Sequence, residues 1–558
     1  MPDLNAMKVL IIGAGPTSIG QTGECHEGAL EACRALAAAG CRLITVDANP
    51  DTIFNHAPWS QHPMIDPLTP GSIARILEAE QPDALLTLFS GRDGLHLASQ
   101  LYQNDVITKR GIHIWGPCRA CLESIRDRDT LQSALAPIGL KTPSIFTVSG
   151  VEAAIEKAQQ LGFPVVLRCD DAHLIPDGLL LYNQDELNRI GATLAGEPES
   201  KFSVEASLLE WQQVELEVIR DNAGQSRLIG SIEYLDTAGI HPGDAIGVCP
   251  PQSLPEALQA DLFNHARAIA DHLNIVGGTT LRFAYHPADQ DLLVLAVHPR
   301  YTTASALVAR ISGIPVARIS SLLAAGLTWE QLPSDISATL EPKTPSHIVG
   351  VKWPRWDFVN LKGALDRLGP RMQATGHSVG YGENFKTALQ KAAHAAESNR
   401  GGIVAQADIL TDHALESVLS QLSTPSSRRA VEIYAALRRG ASVEDVVEHT
   451  HIGRWFIDQF KALADTQMQI EAHRNGTPPE ALLQRALQEG FKADNISRLI
   501  NLPAKQIETH LAGMNLIKTW KSLPGKGLSL RYSTWGATEQ SPTPGSDPKI
   551  VIVGNGAS

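Results

Sequence analysis

The chain has 558 residues, and at about 150 residues per domain it has room for roughly four. A hydrophobic fraction of 43% is enough for packed cores and excludes wholesale disorder, and no run approaches the roughly 18 consecutive apolar residues of a membrane span. The formal charge of −13 argues against a general nucleic-acid binder but leaves room for a local basic patch.

The N-terminus (MPDLNAMKVLIIGAG) enters a strand-like run directly and carries no small-residue cleavage site, so no signal peptide is expected. KVLIIGAG (8–15) reads as a buried strand ending in a glycine turn. ALEACRALAAAG (29–40) has helical spacing, RLITVDANP (42–50) reads as a strand, SIARILEAEQ (72–81) as a helix and DALLTLF (83–89) as a third strand. Strands alternating with helices predict a parallel sheet covered on both faces, a Rossmann-like unit over 1–120. Over 121–400 strands run consecutively, as in FPVVLRC (163–169), QVELEVIRD (213–221), RLIGSIEYLD (227–236), TLRFAYHP (280–287) and DLLVLAVHP (291–299), which predicts an α+β region. From about 413 to 520 apolar residues recur at spacings of three and four, so 401–534 is expected to be helical. WGATEQSPTPGSDP (535–548) reads as a linker, and KIVIVGNG (549–556) repeats the opening strand, as if a second unit began within 535–558.

Seven cysteines (Cys25, Cys33, Cys41, Cys118, Cys121, Cys169 and Cys249) are too sparse for a disulfide framework. Cys118 and Cys121 form one CxxC with no second pair, so ordinary reduced thiols and a cytoplasmic location are expected. Gly13, Gly15 and Gly20 form GxGxxxxG after a strand, with Asp47 where a dinucleotide-binding protein would hold a ribose. The spacing is not GxGxxG, and a tight strand-to-helix turn is the simpler reading. ADNISRLINLPAKQIETHLAGM (493–514) has a helix-turn-helix look, with Leu502-Pro503 at the turn. Residues 426–525 hold thirteen basic against eleven acidic residues, so the electrostatic footprint of a DNA reader is missing. No GxSxG, HExxH or GxxxxGK[ST] motif occurs.

GAGPTSIGQ (13–21), Glu24 and VDANPDTI (46–53) resemble the N-terminal half of the large subunit of carbamoyl-phosphate synthetase. The resemblance continues through LGFPVVLR (161–168), LLEWQQVELEVIRD (208–221), SIEYLDTAGIHPGD (231–244), HPRYTTASALVARISGIPVARI (298–319) and IGRWFIDQF (452–460). It implies a Rossmann-like pre-ATP-grasp lobe, an ATP-grasp module and a C-terminal helical oligomerisation domain. In that family this half uses MgATP to turn bicarbonate into carboxyphosphate, which reacts with ammonia to give carbamate for arginine and pyrimidine synthesis. By the resemblance Glu215 would hold the ATP ribose, and His241 and Arg300 would lie by phosphate and bicarbonate. Glu217 and Asp244 also survive.

Other family positions are changed. The glycine-rich phosphate loop reads Arg168-Cys169-Asp170-Asp171-Ala172-His173-Leu174-Ile175-Pro176-Asp177-Gly178, in which only Arg168 and Gly178 remain. A carboxylate beside a phosphate oxygen is repelled by roughly 4 kcal/mol at about 4 Å and an effective dielectric of about 20. The three metal-binding positions hold Arg282, Ala296 and His298, although Mg²⁺ needs hard oxygen ligands. Thr130 replaces a family arginine, and Ala206 replaces the hinge acid before Ser207. The pattern predicts an ATP-grasp fold kept without its reaction, a scaffold or regulatory partner that self-associates or joins other synthetase subunits, with no certain cofactor, no metal site, no membrane and no nucleic acid. An active split half-enzyme and a helix-turn-helix binder remain as alternatives. The acidic loop is expected either to close over Arg168 and Arg282 with ion pairs, or to leave Arg282 in place of Mg²⁺ beside a bound anion.

Overall fold

The computed structural model describes residues 4–15, 22–50, 52, 55, 58, 60–169, 175, 178–194, 200–340, 348–396, 402–407, 414–514, 517–523 and 531–536. Gly20, the loop acids Asp170, Asp171 and Asp177, and the repeat at 549–556 lie outside the described residues.

The first lobe is a five-stranded parallel sheet of β1 (Lys8–Ile12), β2 (Arg42–Asp47), β3 (Ser60–Ile65), β4 (Ala84–Leu86) and β5 (His113–Trp115), in the order β3-β2-β1-β4-β5. Both faces of β1 are buried, so its sequence is a continuous apolar run rather than an alternation. Val9 and Ile11 pack against Ala29, Ala32 and Leu36 of the helix Thr22–Ala38. Leu10 and Ile12 pack on the other side against Ile73, Leu77, Leu97 and Leu101. The first helix starts at Thr22, earlier than the spacing over 29–40 predicts, and β3 and β5 join the three strands read from sequence. β3 (SQHPMI) carries a proline and no clean alternation; it forms as an edge strand paired to β2.

Two antiparallel sheets follow. The smaller contains β6 (Ile145–Ser149), β7 (Val165–Cys169), β8 (Leu179–Leu181) and β9 (Lys201–Ala206), ordered β6-β9-β7-β8. The larger contains β10 (Gln212–Arg220), β11 (Ser226–Thr237), β12 (Gly247–Cys249), β13 (Gly277–Tyr285), β14 (Leu292–His298), β15 (Val349–Arg355) and β16 (Gly376–Gly382), ordered β14-β13-β10-β11-β12-β15-β16. Side chains alternate along β10 with period two. Val214, Leu216 and Val218 share a core with Leu262, Ala266 and Ile269 of the helix Glu256–His272, which places Glu215 and Glu217 on the opposite face. The helices Thr303–Ser312 and Val316–Ala324 cover part of that opposite face. They approach closely because of glycine: a Cβ at Gly278 would lie 2.5 Å from Ser320 Oγ.

The remainder is helical from Leu415 to Gly513, and its core is continuous with the large sheet. Val351 and Trp353 of β15 join Phe456, Phe460, Leu483 and Ile496 in one cluster. The two-helix unit Ala493–Ile500 and Ala504–Gly513 turns at Asn501 (φ 58°) and buries Ile496, Leu499, Ile500, Ile507 and Leu511. A hairpin of β17 (Ile517–Ser522) and β18 (Arg531–Gly536) ends the described chain, where the sequence reading has helix and then linker. Lys391 tethers it, donating to Tyr381 O at 2.8 Å and also to Ser533 O. No single described helix is long and apolar enough to cross a membrane.

Candidate functional site

Strand register builds the site. On β10, Glu215 lies opposite Ile232 of β11 and Arg282 of β13, and Arg282 in turn lies opposite Ala296 of β14. One step along, Glu217 lies opposite Thr280, and Thr280 opposite His298. Two parallel rows therefore cross the same face of the large sheet. Farther across, Lys352 of β15 pairs with Gly247, which pairs with Tyr234.

Glu215 accepts a hydrogen bond from Tyr234 Oη at 2.7 Å. Its negative charge favours the charged forms of Arg282, Arg300 and Lys352, opposing the burial that lowers all three below their usual range. Lys352 Nζ donates to Pro242 O at 2.5 Å and stands 5.6 Å from the Tyr234 ring centroid. Arg300 Nη1 donates to Tyr301 O at 3.2 Å, while the buried Nε atoms of Arg282 and Arg300 have no hydrogen-bond partner.

His241 precedes the turn Pro242–Asp244, and its Nδ1 accepts from Gly243 N–H at 3.0 Å, which leaves the proton on Nε2. Burial, and then the charges of Arg282, Lys352, Arg168 and Arg300, hold its pKa down to about 3. His298 is held well below the usual imidazole range by burial and by Arg300, Arg282 and His241. Both rings are thus neutral at physiological pH. Asp244 accepts from Trp356 Nε1 at 3.0 Å, Gln373 N–H at 2.9 Å and Ala374 N–H at 2.6 Å, yet burial raises it to about 6.

The small sheet contributes Arg168. Its Nε donates to Glu205 Oε1 at 2.8 Å, and Arg128 Nη1 donates to the other oxygen at 2.6 Å, so one carboxylate bridges two guanidinium groups. Gly178 lies against Arg168: at its φ of +100°, a Cβ would fall 2.9 Å from Nη1 and 3.0 Å from Cγ. The structure thus brings Arg168, His241, Arg282, Arg300 and Lys352 within electrostatic range where the sheets meet, with Glu215 among them. It seats Gly178 as packing for Arg168.

Sequence reasoning missed Lys352, Tyr234, Glu205 and Arg128. Lys352 had a signal, a lone lysine at an inward position of the apolar run IVGVKW; Glu205 and Arg128 had none before the pairing was seen. Thr130 caps its own helix, accepting from Asp127 N–H at 3.1 Å while its N–H donates to Asp127 Oδ1 at 2.8 Å. Asp47 serves the turn: its oxygens accept from Gly15 N–H at 3.3 Å and Asn49 N–H at 2.8 Å, which fixes the start of the glycine turn. Cys25, Cys33, Cys41, Cys118, Cys121 and Cys249 are free thiols, and burial pushes Cys25 to about 11 and Cys121 and Cys249 to about 12. Among the described residues no group of three or more His, Cys, Asp or Glu side chains gathers as a metal site.

A parallel lobe followed by two antiparallel sheets that meet at a charged site defines the ATP-grasp class of fold. The chain is similar in fold to biotin carboxylase from Campylobacter jejuni in its β,γ-ATP complex, with a TM-score of 0.50 and 17% identity over 69% of this chain and 90% of that one. It is likewise similar to N5-carboxyaminoimidazole ribonucleotide synthetase in its ADP complex, with a TM-score of 0.51 and 17% identity over 70% and 97%.

Sequence places the chain more narrowly. Family models match for the carbamoyl phosphate synthase preATP-grasp domain over 5–124, the carbamoyl-phosphate synthase L chain ATP binding domain over 127–332, and the carbamoyl-phosphate synthetase large chain oligomerisation domain over 378–515. The chain belongs to the carbamoyl-phosphate synthase large-chain family. It is 31% identical to the large chains of Deinococcus deserti, over 98% of this chain and 54% of that one, and of Thermotoga maritima, over 98% and 50%. It spans about half the length of these curated relatives.

Proposed function

We propose that this chain is a carboxyphosphate-half homologue that no longer runs the MgATP step and serves as a scaffold or regulatory partner in a synthetase assembly. One observation carries the reading: Arg282 stands in the row between Glu215 and Ala296, at the position the family resemblance assigns to a metal ligand. Mg²⁺ requires oxygen donors in near-octahedral array. The three positions that the resemblance assigns to metal ligands, spread over the two rows, offer a guanidinium at Arg282, a methyl at Ala296 and an imidazole at His298, and the Glu215 carboxylate is already engaged by Tyr234. This donor set does not fit Mg²⁺. Arg282 also adds fixed positive charge where a divalent cation would have to enter.

A second reading, an active split half that phosphorylates bicarbonate, draws on the survival of Glu215, His241 and Arg300 at one site. Neutral His241, with a proton on Nε2, is a hydrogen-bond donor suited to a developing oxyanion. The two readings separate in a bicarbonate-dependent ATPase assay on the full chain with Mg²⁺. The expected result is no turnover above background. Turnover that an Arg300→Ala substitution abolishes would establish the active half instead.

The helical segment supports an assembly role rather than a DNA-reading one. Ile496, Leu499 and Ile500 on one helix of the two-helix unit, and Ile507 and Leu511 on the other, are spent on the shared core, and the local charge is nearly neutral.

A further inference from the structure

We propose that Cys118 and Cys121 form a reversible redox pair, which closes to an intramolecular disulfide when a low-molecular-weight disulfide such as oxidised glutathione is supplied. The pair lies outside the site between the sheets, and its chemistry does not depend on whether that site turns over ATP.

The first argument is placement. Both thiols are free. Cys118 immediately precedes the helix Arg119–Ser124, with an extended backbone (φ −69°, ψ 166°), and Cys121 is the third residue within that helix. A helical rise of about 1.5 Å per residue on a radius of about 2.3 Å sets Cα atoms three residues apart at roughly 5 Å. Disulfides span about 4.4–6.8 Å between Cα atoms. The same two positions meet elsewhere in this chain: Asp127 and Thr130 bring their side-chain oxygens to 2.8 Å, and Thr302 and Ser305 bring theirs to 3.3 Å. Cys118 makes no side-chain capping hydrogen bond, so closing the bridge breaks none. A charge on Cys118 acts on Cys121 and on Tyr102, which places its sulfur within electrostatic range of both.

The second argument is access. Cys118 is half-buried and is followed by the exposed Arg119 and Ala120, so a small disulfide reaches it from solvent. Cys121 is buried in a core with Leu131, Leu135 and Leu216, and burial keeps its thiol protonated. The thiolate is the nucleophile in exchange, so Cys118 attacks first and Cys121 resolves. The Cys118 thiolate attacks one sulfur of oxidised glutathione, forming a mixed disulfide and releasing one glutathione thiolate, which takes up the proton that Cys118 lost. The Cys121 sulfur then attacks the Cys118 sulfur, and its proton goes to the second glutathione thiolate as that leaves. Two cysteine thiols are oxidised, and one glutathione disulfide is reduced to two thiols. The third argument is loop length. The bridge closes only the segment 118–121, and so short a loop gains little from restricting the unfolded chain. Such a bridge suits a switch rather than a staple.

The test is to equilibrate the reduced full chain in glutathione buffers of rising oxidised fraction, block the remaining thiols, and read intact mass and the linked peptides by mass spectrometry. One disulfide joining Cys118 to Cys121, fully reversed by dithiothreitol, is expected. Cys121→Ala is expected to stop at one glutathione on Cys118, and Cys118→Ser to leave Cys121 unmodified in the folded chain. The wild-type measurement carries the test by itself if the variants do not fold. A wild type that stays reduced in millimolar oxidised glutathione, one that accumulates glutathione on Cys118 without closing the bridge, or a Cys118→Ser chain whose Cys121 reacts as fast as Cys118 does in the wild type would each overturn the proposal.

Discussion

Glu217 occupies the second inward position of β10, one residue from Leu216 and Val218, which face the other way. Its Oε2 accepts from Thr280 Oγ1 and Ser305 Oγ, each at 2.8 Å, and its Oε1 is buried with no partner. The two hydroxyls favour the charged form, but burial outweighs them and raises the pKa to about 7. The helix Thr303–Ser312 starts beside it, yet a helix N-terminus contributes at most roughly 2 kcal/mol, too little to reverse the direction. The folded state therefore holds this proton more tightly than the unfolded chain. Its stabilising contribution is complete below pH 4.5 and is lost as pH rises to 7, a change of about 3 kcal/mol. Denaturant midpoints for wild type and Glu217→Gln should converge near pH 8 or favour glutamine, while at pH 5 the wild type should regain the difference. Equal pH slopes for the two proteins would rule this out. Burial of Glu217 was legible as a carboxylate within QVELEVIRD, but its protonation was not, because that depends on partners from β13 and from a helix far along the chain.

At the scale of elements, the helix Arg429–Arg438 shows how the helical segment is fastened. Arg429 to Leu437 are all buried, so the helix is surrounded rather than amphipathic. Its first residue, Arg429, forms an ion pair with Asp236 of β11, both nearly inaccessible, and Asp236 Oδ2 also accepts from Ile246 N–H at 2.9 Å. Removing one member of a buried pair strands the other and costs about 3–5 kcal/mol. Arg429→Met should lower stability by that order, and Arg429→Met combined with Asp236→Asn should cost less than those two single losses added together. Thermal unfolding of the four proteins measures this, and strict additivity would mean that the pair does not couple the elements. The helical spacing of AVEIYAALRRG was readable, since it arises from neighbours three and four residues apart. The docking of that helix on β11 was not, and neither were the short strands β8 and β12, whose existence depends on partners in the sheet.

At the scale of the whole molecule, the helical segment and the large sheet share one core, and the first lobe shares another with β11 and the helices Thr303–Ser312 and Val316–Ala324. The segments thus support each other's position rather than folding as beads on a string. An assembly role predicts that the full chain sediments as a species larger than a monomer, alone or mixed with synthetase subunits. A single monomeric species in both cases, at tens of micromolar, would remove that role. If self-association occurs, Phe460 and Leu483 are not its contact residues, because both are already buried inside the chain.

Sequence by itself determined the class of each region, the alternation that turns Glu215 and Glu217 to one face, the family resemblance and the altered loop and metal positions. These depend on local periodicity, on spacing or on identity at single positions. Tertiary structure alone decided which charges meet. Whether Arg282 faces a carboxylate, a cation or open space depends on the register of strands that are distant in the chain. Likewise, whether Asp47, Thr130 or Gly178 serves a ligand or the fold depends on which backbone or side chain packing brings beside it. Here that register sets Arg282 against Glu215, whose charge also acts on Arg300 and Lys352, while hydrogen bonding and packing turn Asp47, Thr130 and Gly178 to structural work.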